Sequence, residues 1–472
     1  SPSPSTLTLT LYTHTHAHAR THIHTLFHPH LTSTLNTPPP PSLCRPNHAR
    51  THHHHNFTWT RTRIAREALR THSGVGGCWR RQSHRLQERL PPATTVGEAD
   101  AATDANPADV ALAWAQMAYP NAWPDFTDAS NGVSVSATFW NLVDAMQDQP
   151  GPAKETLLFF VGAGATFPAE PFAAMVNGLG IDGLQCDAPT KAPLTALHVS
   201  LAPDWTRALD CDDELADGAE ARMRAWVDDV IVDSHVCPYT KSNEVAGTGL
   251  EQAGVVAGAI HYPLCVVSGA GGPALARLLR AFWLSTINLL SAPPEEVSTL
   301  LICAPGYAVD DADAFAAACT AITTNLKFVR ADFDVSLVFF HPKYDRDRVA
   351  PDPYEQAHGH LPPVPWLRAY AALDRGADAA AELTDDALHR ANAQRTSPFF
   401  CINVLRTDQV EAAESVLPWE VIEPEPGRSI RVSGARVYAK NICRFADAAT
   451  TKVNKFGDTY LVAKRGAIEP EG

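Results

Sequence analysis

Hydrophobic residues follow helical and strand periodicities along most of the chain after residue 156. Met223, Trp226 and Val230 recur on one face of a helix predicted over residues 219–232. The apolar run at 157–161 is typical of a strand buried on both sheet faces. The same patterns predict further strands at 195–201, 262–267, 297–303, 335–340, 399–405, 430–432 and 459–462, and helices at 273–290, 311–326, 366–373, 385–394 and 409–416.

The succession between residues 262 and 340 is βαβαβ, which favours neighbouring, largely parallel strands joined by right-handed crossovers. We therefore predict an α/β fold: one mixed sheet with a βαβαβ centre and flanking helices, over residues 156–465. Residues 92–155 are expected to form a helical approach segment, with helices at 108–118 and 137–146.

Residues 1–91 are predicted to be a disordered, low-complexity leader. Residues 1–84 contain 14 of the 21 histidines, and residues 1–90 carry a formal charge of +9. A basic, acid-poor segment is typical of an organelle transit peptide, although a gene-model artefact and a histidine-rich metal-binding tract are alternatives. The first reading predicts a plastid or mitochondrial protein, and the second a cytoplasmic one.

The charge of the remaining chain limits its partners. Because the whole chain has a net charge of −14, residues 91–472 carry −23, whereas a general nucleic-acid binder needs a cationic surface. No uncharged apolar run reaches the 18 residues that a membrane span needs. The ten cysteines include no Cys-x-x-Cys pair, which indicates free thiols in a reducing, intracellular compartment. We predict no nucleic-acid or membrane partner and no cofactor; a small-molecule ligand and any oligomeric state stay open.

The densest group of reactive side chains follows the helix predicted at 219–232. Residues 235–241 contain His235, Cys237, Pro238, Tyr239 and Lys241. A nearby imidazole and ammonium raise the thiolate fraction of a cysteine, which predicts a reactive thiol at Cys237. A buried Cys-Pro turn without chemical function, or a single-thiol glutaredoxin-like site, explains the same residues.

Residues 226–395 resemble an uncharacterised, mainly bacterial family catalogued as domain of unknown function fourteen-fifteen. The resemblance rests on short motifs in the family's order: His235-Val236-Cys237-Pro238-Tyr239-Thr240-Lys241, Phe340-His341-Pro342-Lys343-Tyr344, Ala350-Pro351-Asp352, Pro363-Val364-Pro365-Trp366-Leu367-Arg368 and Arg390-Ala391-Asn392. The family's Asn in the first motif is His235 here. The resemblance implies a compact α/β domain and brings no established activity.

His341 is the second candidate for chemistry, because it ends a predicted strand and open α/β sheets bind ligands beyond the carboxyl ends of their strands. We predict a thiol-dependent enzyme or redox protein in which Cys237 is the nucleophile or redox thiol and His341 the base or orienting group. Its small anionic substrate would be positioned by four residues: Lys241, Tyr344, Arg368 and Asn392.

Three alternatives remain at this stage. The protein can be a non-catalytic ligand-binding or assembly domain, so that its being an enzyme is left open. A zinc site would use His235, Cys237, His341, His358 and His360, although no metal is predicted. The glycine turn at residues 268–273 can hold an anion at a helix N-terminus, or it can simply be a tight turn.

Overall fold

The structure, a computed structural model, describes residues 107–128, 131–148, 154–161, 167–191, 194–237, 239–352 and 357–463. The predicted leader lies outside these residues. The described part is mixed α/β, as predicted, with its 15 strands, numbered in chain order, in five sheets where the sequence predicts one. The thirteen helices are α1 Pro107–Ala118, α2 Gly132–Met146, α3 Ala169–Gly178, α4 Asp213–Trp226, α5 Thr248–Gln252, α6 Gly272–Ser291, α7 Ala312–Phe328, α8 Arg346–Val349, α9 Val364–Arg375, α10 Ala377–Ala381, α11 Asp385–His389, α12 Thr407–Ser415 and α13 Ala435–Ala448.

The first sheet has the order β1-β2-β5-β3, with β4 paired to β5. Its strands are β1 Trp123–Asp128, β2 Lys154–Val161, β3 Leu184–Asp187, β4 Thr190–Lys191 and β5 Leu194–Leu201. Strand β1 pairs in parallel with β2, from Trp123 opposite Thr156 to Asp128 opposite Val161. The stretch predicted as a helical approach therefore supplies a strand to this sheet, and the sheet extends across the boundary predicted at residue 156.

The second sheet has the order β10-β11-β8-β6. These strands are β6 Ala259–His261, β8 Val297–Ala304, β10 Val335–Phe340 and β11 Phe400–Arg406. The βαβαβ succession is present, but β11 lies between β8 and β10 and pairs antiparallel with both. The prediction that β8 and β10 are neighbours is therefore wrong, because a strand from about 60 residues further along separates them.

Three two-stranded sheets complete the described strands: β7 Ser268–Gly269 with β9 Gly306–Tyr307, β12 Trp419–Glu425 with β13 Arg428–Ser433, and β14 Ala449–Val453 with β15 Thr459–Ala463. The strand predicted at 262–267 is an irregular segment between β6 and β7. It still contacts β8, because Cys303 donates its N–H to the Pro263 carbonyl and accepts from the Cys265 N–H, both at 2.8 Å.

The second sheet is buried on both faces, which explains the continuous apolar runs of β8 and β11. One face packs Ile302, Phe400 and Ile402 with the side chains of α6 and α7. The opposite face packs Phe340 and Cys401 against α4 and the π-helical turn Val227–Val232 that continues it. Because side chains alternate between faces along a strand, neighbouring residues such as Phe400 and Cys401 belong to different cores.

Candidate functional site

Cys237 follows an irregular helix end. Helix α4 continues as the π-helical turn Val227–Val232, a form that often occurs at functional sites, and His235 has a positive φ of 51°. Among the eight described free cysteines Cys237 is half-buried, whereas the other seven are buried: Cys186, Cys211, Cys265, Cys303, Cys319, Cys401 and Cys443. Pro238 lies outside the described residues. Cys237 is therefore the described thiol best placed to meet a reagent from solution.

The guanidinium of Arg395 lies in electrostatic range of Cys237. Arg395 ends the 3₁₀ helix Arg390–Arg395, and its side chain lies over the ring of Phe340, 5.5 Å from the ring centroid. Among the described residues its buried Nε has no hydrogen-bond partner, and no carboxylate is among the groups that shift its pKa. Burial lowers the pKa of Arg395, and the charges of Tyr344, Tyr438 and Cys237 oppose that shift. Arg395 as a whole is half-buried, and its buried Nε lacks the partner that buried polar groups normally have.

Tyr438, from α13, is the third member of this group. Tyr438 is 37% exposed. Burial of its phenol nevertheless raises the pKa of Tyr438, with smaller contributions from the charges of Glu414 and Cys237. We call Cys237, Arg395 and Tyr438 the thiol cluster, because Cys237 and Tyr438 contribute to the pKa of Arg395, and Cys237 and Arg395 contribute to the pKa of Tyr438.

His341 is completely buried, and both ring nitrogens are engaged. Its Nε2–H donates to the Ala308 carbonyl at 2.8 Å, and its Nδ1 accepts the Lys343 N–H at 3.0 Å. The ring stacks on Phe315 at 4.5 Å between centroids. Burial lowers the pKa of His341, so the imidazole is neutral and its Nδ1 lone pair is already used. This geometry is that of a structural histidine.

The structure does not bring Cys237 and His341 together. Cys237 packs on the sheet face that carries Phe340 and Cys401. His341 contacts Phe315 and Phe400 in the core on the opposite face. Arg395 connects the two places, because its carbonyl accepts the His341 main-chain N–H at 3.1 Å.

Tyr344 belongs to a different place, an open cleft of about 840 Å³ at the ends of β9 and β10. Its hydroxyl accepts the Leu361 N–H at 3.0 Å and lies 3.3 Å from Nδ1 of His360. Ala308, with a φ of 49°, also lines the cleft, as does Gly269 of the glycine turn. Lys343 and Tyr344 of the His-Pro-Lys-Tyr motif therefore form part of the cleft wall.

The other three predicted substrate-binding residues are dispersed. Lys241 forms a 2.9 Å ion pair with Glu251, and both side chains are more than half exposed. Arg368 donates to the Ala380 and Leu383 carbonyls and to Asp385, so it joins α9 to α10 and α11. Asn392 lines a separate groove of about 330 Å³ with Thr451, Thr459 and Tyr460. None of them belongs to the thiol cluster.

The histidines considered as zinc ligands do not converge either. His360 is buried between Phe339 and Tyr344, and burial, followed by the charges of Arg395 and Arg346, lowers its pKa to about 3. His235 is exposed beside the thiol, and His341 lies in the opposite core. The described residues contain no group of three His, Cys, Asp or Glu side chains that could hold a metal ion.

Sequence reasoning missed Arg395 and Tyr438. Arg395 lies one residue beyond the predicted helix 385–394, where a terminal arginine is usually exposed. Tyr438 is on α13, which the sequence pattern did not reveal. The available signal was the position of Arg395, two residues before the Ser397-Pro398 pair that leads into the apolar run of a predicted strand.

Comparisons with known proteins confirm the family resemblance over one segment. No curated protein and no solved structure matches the chain. No described helix is long and apolar enough to cross a bilayer. The family model "Protein of unknown function (DUF1415)" matches residues 218–362, which include Cys237 and the His341–Tyr344 motif and end before Arg395 and Tyr438. Over residues 218–362 the chain is thus similar to the DUF1415 family, as its motifs predict.

Proposed function

We propose that this protein is a thiol-dependent enzyme or redox protein that acts on a small anionic substrate at the thiol cluster. The observation that carries the proposal is the guanidinium of Arg395, which lacks a carboxylate partner among the described residues and acts electrostatically on the half-buried thiol of Cys237. A cation in this position attracts an anionic ligand to the neighbourhood of the sulfur, which is the candidate nucleophile.

Each member of the cluster has a distinct part in this proposal. Arg395 binds the anionic group of the substrate, for which a planar guanidinium is suited. Cys237 supplies the sulfur that attacks or is oxidised. Tyr438 borders the site with a protonated phenol that can donate a hydrogen bond. His341 acts as a positioning residue, since its main chain holds the carbonyl of Arg395.

A second candidate function is ligand binding without catalysis in the cleft lined by Lys343 and Tyr344. Its volume of about 840 Å³ is large enough for a metabolite. The favouring observation is Ala308, which lines the cleft with a φ of 49°, since non-glycine residues in that conformation concentrate at functional sites. This function needs no thiol and predicts that Cys237→Ser leaves ligand binding unchanged.

The test of the thiol cluster compares two alkylating reagents, anionic iodoacetate and neutral iodoacetamide, on the native protein. Modification is quantified on the tryptic peptide 225–241, which contains Cys237 as its single cysteine. The guanidinium of Arg395 should favour the anionic reagent. We expect Arg395→Gln to lower the ratio of the two rates about tenfold, which corresponds to ~1.4 kcal/mol of lost electrostatic interaction.

Two controls accompany this measurement. Arg348→Gln removes an exposed cation that is paired with Asp313, and the ratio should not change. Inorganic phosphate should slow iodoacetamide in the wild type by occupying the site, a result that needs no variant to fold. A ratio unaffected by Arg395→Gln, or a Cys237 that does not react in the native protein, would overturn the proposal.

A further inference from the structure

Two buried cysteines face each other across the central strands of the second sheet. Strands β8 and β11 are antiparallel, and their register places Cys303 directly opposite Cys401. The side chains of directly opposed residues lie on the same face of a sheet. Both cysteines accordingly belong to the core cluster on the α4 side, with exposed fractions of 1% and 0%.

The backbone hydrogen bonds of Cys303 define what kind of pair this is. Its N–H donates to the Pro263 carbonyl and its carbonyl accepts the Cys265 N–H, both at 2.8 Å. In a strand these two groups of one residue point to the same side, so those of Cys303 point away from β11. Cys303 and Cys401 therefore form a non-hydrogen-bonded pair, the type in which opposed Cα atoms approach to about 4.5 Å.

That separation falls inside the range that a disulfide spans, roughly 4.4–6.8 Å between Cα atoms. The thiols are also in contact. Burial raises the pKa of the Cys401 thiol well above its usual value, and a hydrogen bond with the Cys303 thiol and the charge of Cys303 raise it further. The Cys303 thiol also donates to the Leu301 carbonyl at 3.4 Å. The register of the two strands and the contact between the thiols are what favour a bond between these sulfurs.

We propose that Cys303 and Cys401 are a dithiol modification site that a low-molecular-weight disulfide converts to a cross-strand disulfide. The thiolate of one cysteine attacks a sulfur of the small disulfide, which forms a mixed disulfide and releases one small thiolate. The second cysteine then attacks the protein sulfur and releases the other small thiolate. The two protein protons pass to the two leaving thiolates, and the small disulfide is reduced as the protein dithiol is oxidised.

This reaction links the C-terminal end of β8, just before β9, to the N-terminal end of β11, which follows Arg395. It does not use Cys237, and it is independent of the function proposed for the thiol cluster. Because both sulfurs are buried, the reagent reaches them when the strands open locally or before the sheet closes. We expect oxidation of the native protein to be slow and to accelerate as the pH rises.

The experiment incubates the full-length protein with a mixture of oxidised and reduced glutathione, in one arm in the native state and in another during refolding from the reduced, unfolded chain. Remaining thiols are then alkylated in denaturant and the protein is digested with trypsin. The peptide 396–406 contains only Cys401, and the peptide 281–327 contains Cys303 and Cys319. We expect these two peptides to be joined by a disulfide that dithiothreitol cleaves.

Three variants define the pairing. Cys303→Ser should abolish the joined peptide, whereas Cys319→Ser removes a buried cysteine of the opposite core and should leave it unchanged. Cys237→Ser should also leave it unchanged, which separates this site from the thiol cluster. The absence of the joined peptide in both wild-type arms, or its loss in Cys319→Ser but not in Cys303→Ser, would overturn the assignment.

Discussion

At the scale of single residues, two histidines that stand out in the sequence are used for structure. His341 donates to the Ala308 carbonyl and stacks on Phe315, and His360 lies between Phe339 and Tyr344. Burial of an imidazole favours its uncharged form, which explains why the pKa values of both are lowered. A histidine at a strand end predicts a position at the sheet edge, but it does not reveal whether its ring turns into the core.

His360 makes folding stability depend on pH. Its pKa is about 3 when folded and 6.5 in an unfolded chain, so its stabilising contribution is complete above pH 6.5 and is lost as the pH falls below that value. By pH 5.5 the loss is about 1.4 kcal/mol. We expect His360→Asn to remove this part of the decline in the free energy of unfolding between pH 7.5 and 5.5, measured with urea.

The matched control is His261→Asn, which replaces an exposed histidine of β6. The free energy of unfolding of this variant should fall with pH as it does in the wild type. Carboxyl groups contribute little to the decline, because their ordinary pKa of about 4 lies below this pH range. An identical decline in His360→Asn and wild type would show that His360 accepts a proton inside the folded protein.

At the scale of secondary-structure elements, periodicity predicted most long helices and buried strands but not the strand order. The apolar runs of β8, β10 and β11 are alike, so the sequence pattern of each strand is compatible with any central position in the sheet. Insertion of β11 depends on tertiary packing between segments about 60–100 residues apart, which periodicity does not encode. Strand β1 was missed because its sequence, WPDFTD, is polar and contains proline.

The candidate site, too, could be predicted from the sequence only in part. The sequence indicated Cys237 as a candidate from the residues around it, and its reactivity stays a prediction, whereas Lys241 of the same motif pairs with Glu251 instead. The contribution of Arg395 could not be predicted, because it depends on which face of the second sheet carries Phe340. Side chains alternate between the two faces along β10. Phe340 therefore lies on the face against which Cys237 packs, whereas the next residue, His341, lies in the opposite core.

The C-terminus of α7 supplies a prediction at this scale. Arg330, two residues beyond the helix, has a φ of 60° and is exposed, with its guanidinium over Phe333. A residue with a Cβ is strained in this left-handed conformation and glycine is not. We expect Arg330→Gly to be about 1 kcal/mol more stable than Arg330→Ala, measured by urea unfolding. Both variants lack the cation, so the difference reports the backbone alone.

The same pair of substitutions at Thr324 is the control. Thr324 is exposed in the interior of α7, where alanine is favoured over glycine by about 1 kcal/mol. The order of stability should therefore reverse between the two positions. Alanine more stable than glycine at Arg330 would contradict the left-handed conformation of that residue.

At the scale of the whole molecule, a buried asparagine joins segments far apart in the chain. Asn325 on α7 accepts the indole N–H groups of Trp140 on α2 at 2.9 Å and Trp283 on α6 at 2.8 Å. Its amide donates to Ser136 of α2 at 3.3 Å, and none of these side chains is exposed by more than a tenth. Helix α2 follows β1, so this contact connects the layer of the first sheet to the core of the second.

Replacing this asparagine tests whether the described part of the chain unfolds as one unit. Asn325→Ala leaves two buried indole N–H groups without an acceptor, at about 1–3 kcal/mol each, so we expect a loss of about 4 kcal/mol in the free energy of unfolding. Asn288→Ala, at an exposed position of α6, should change it by less than about 0.5 kcal/mol. Tryptophan fluorescence and circular dichroism should report one common urea transition in all three proteins, because α2, α6 and α7 share one core. A separate, earlier fluorescence transition in Asn325→Ala would mean that the first sheet and its helices fold as an independent unit.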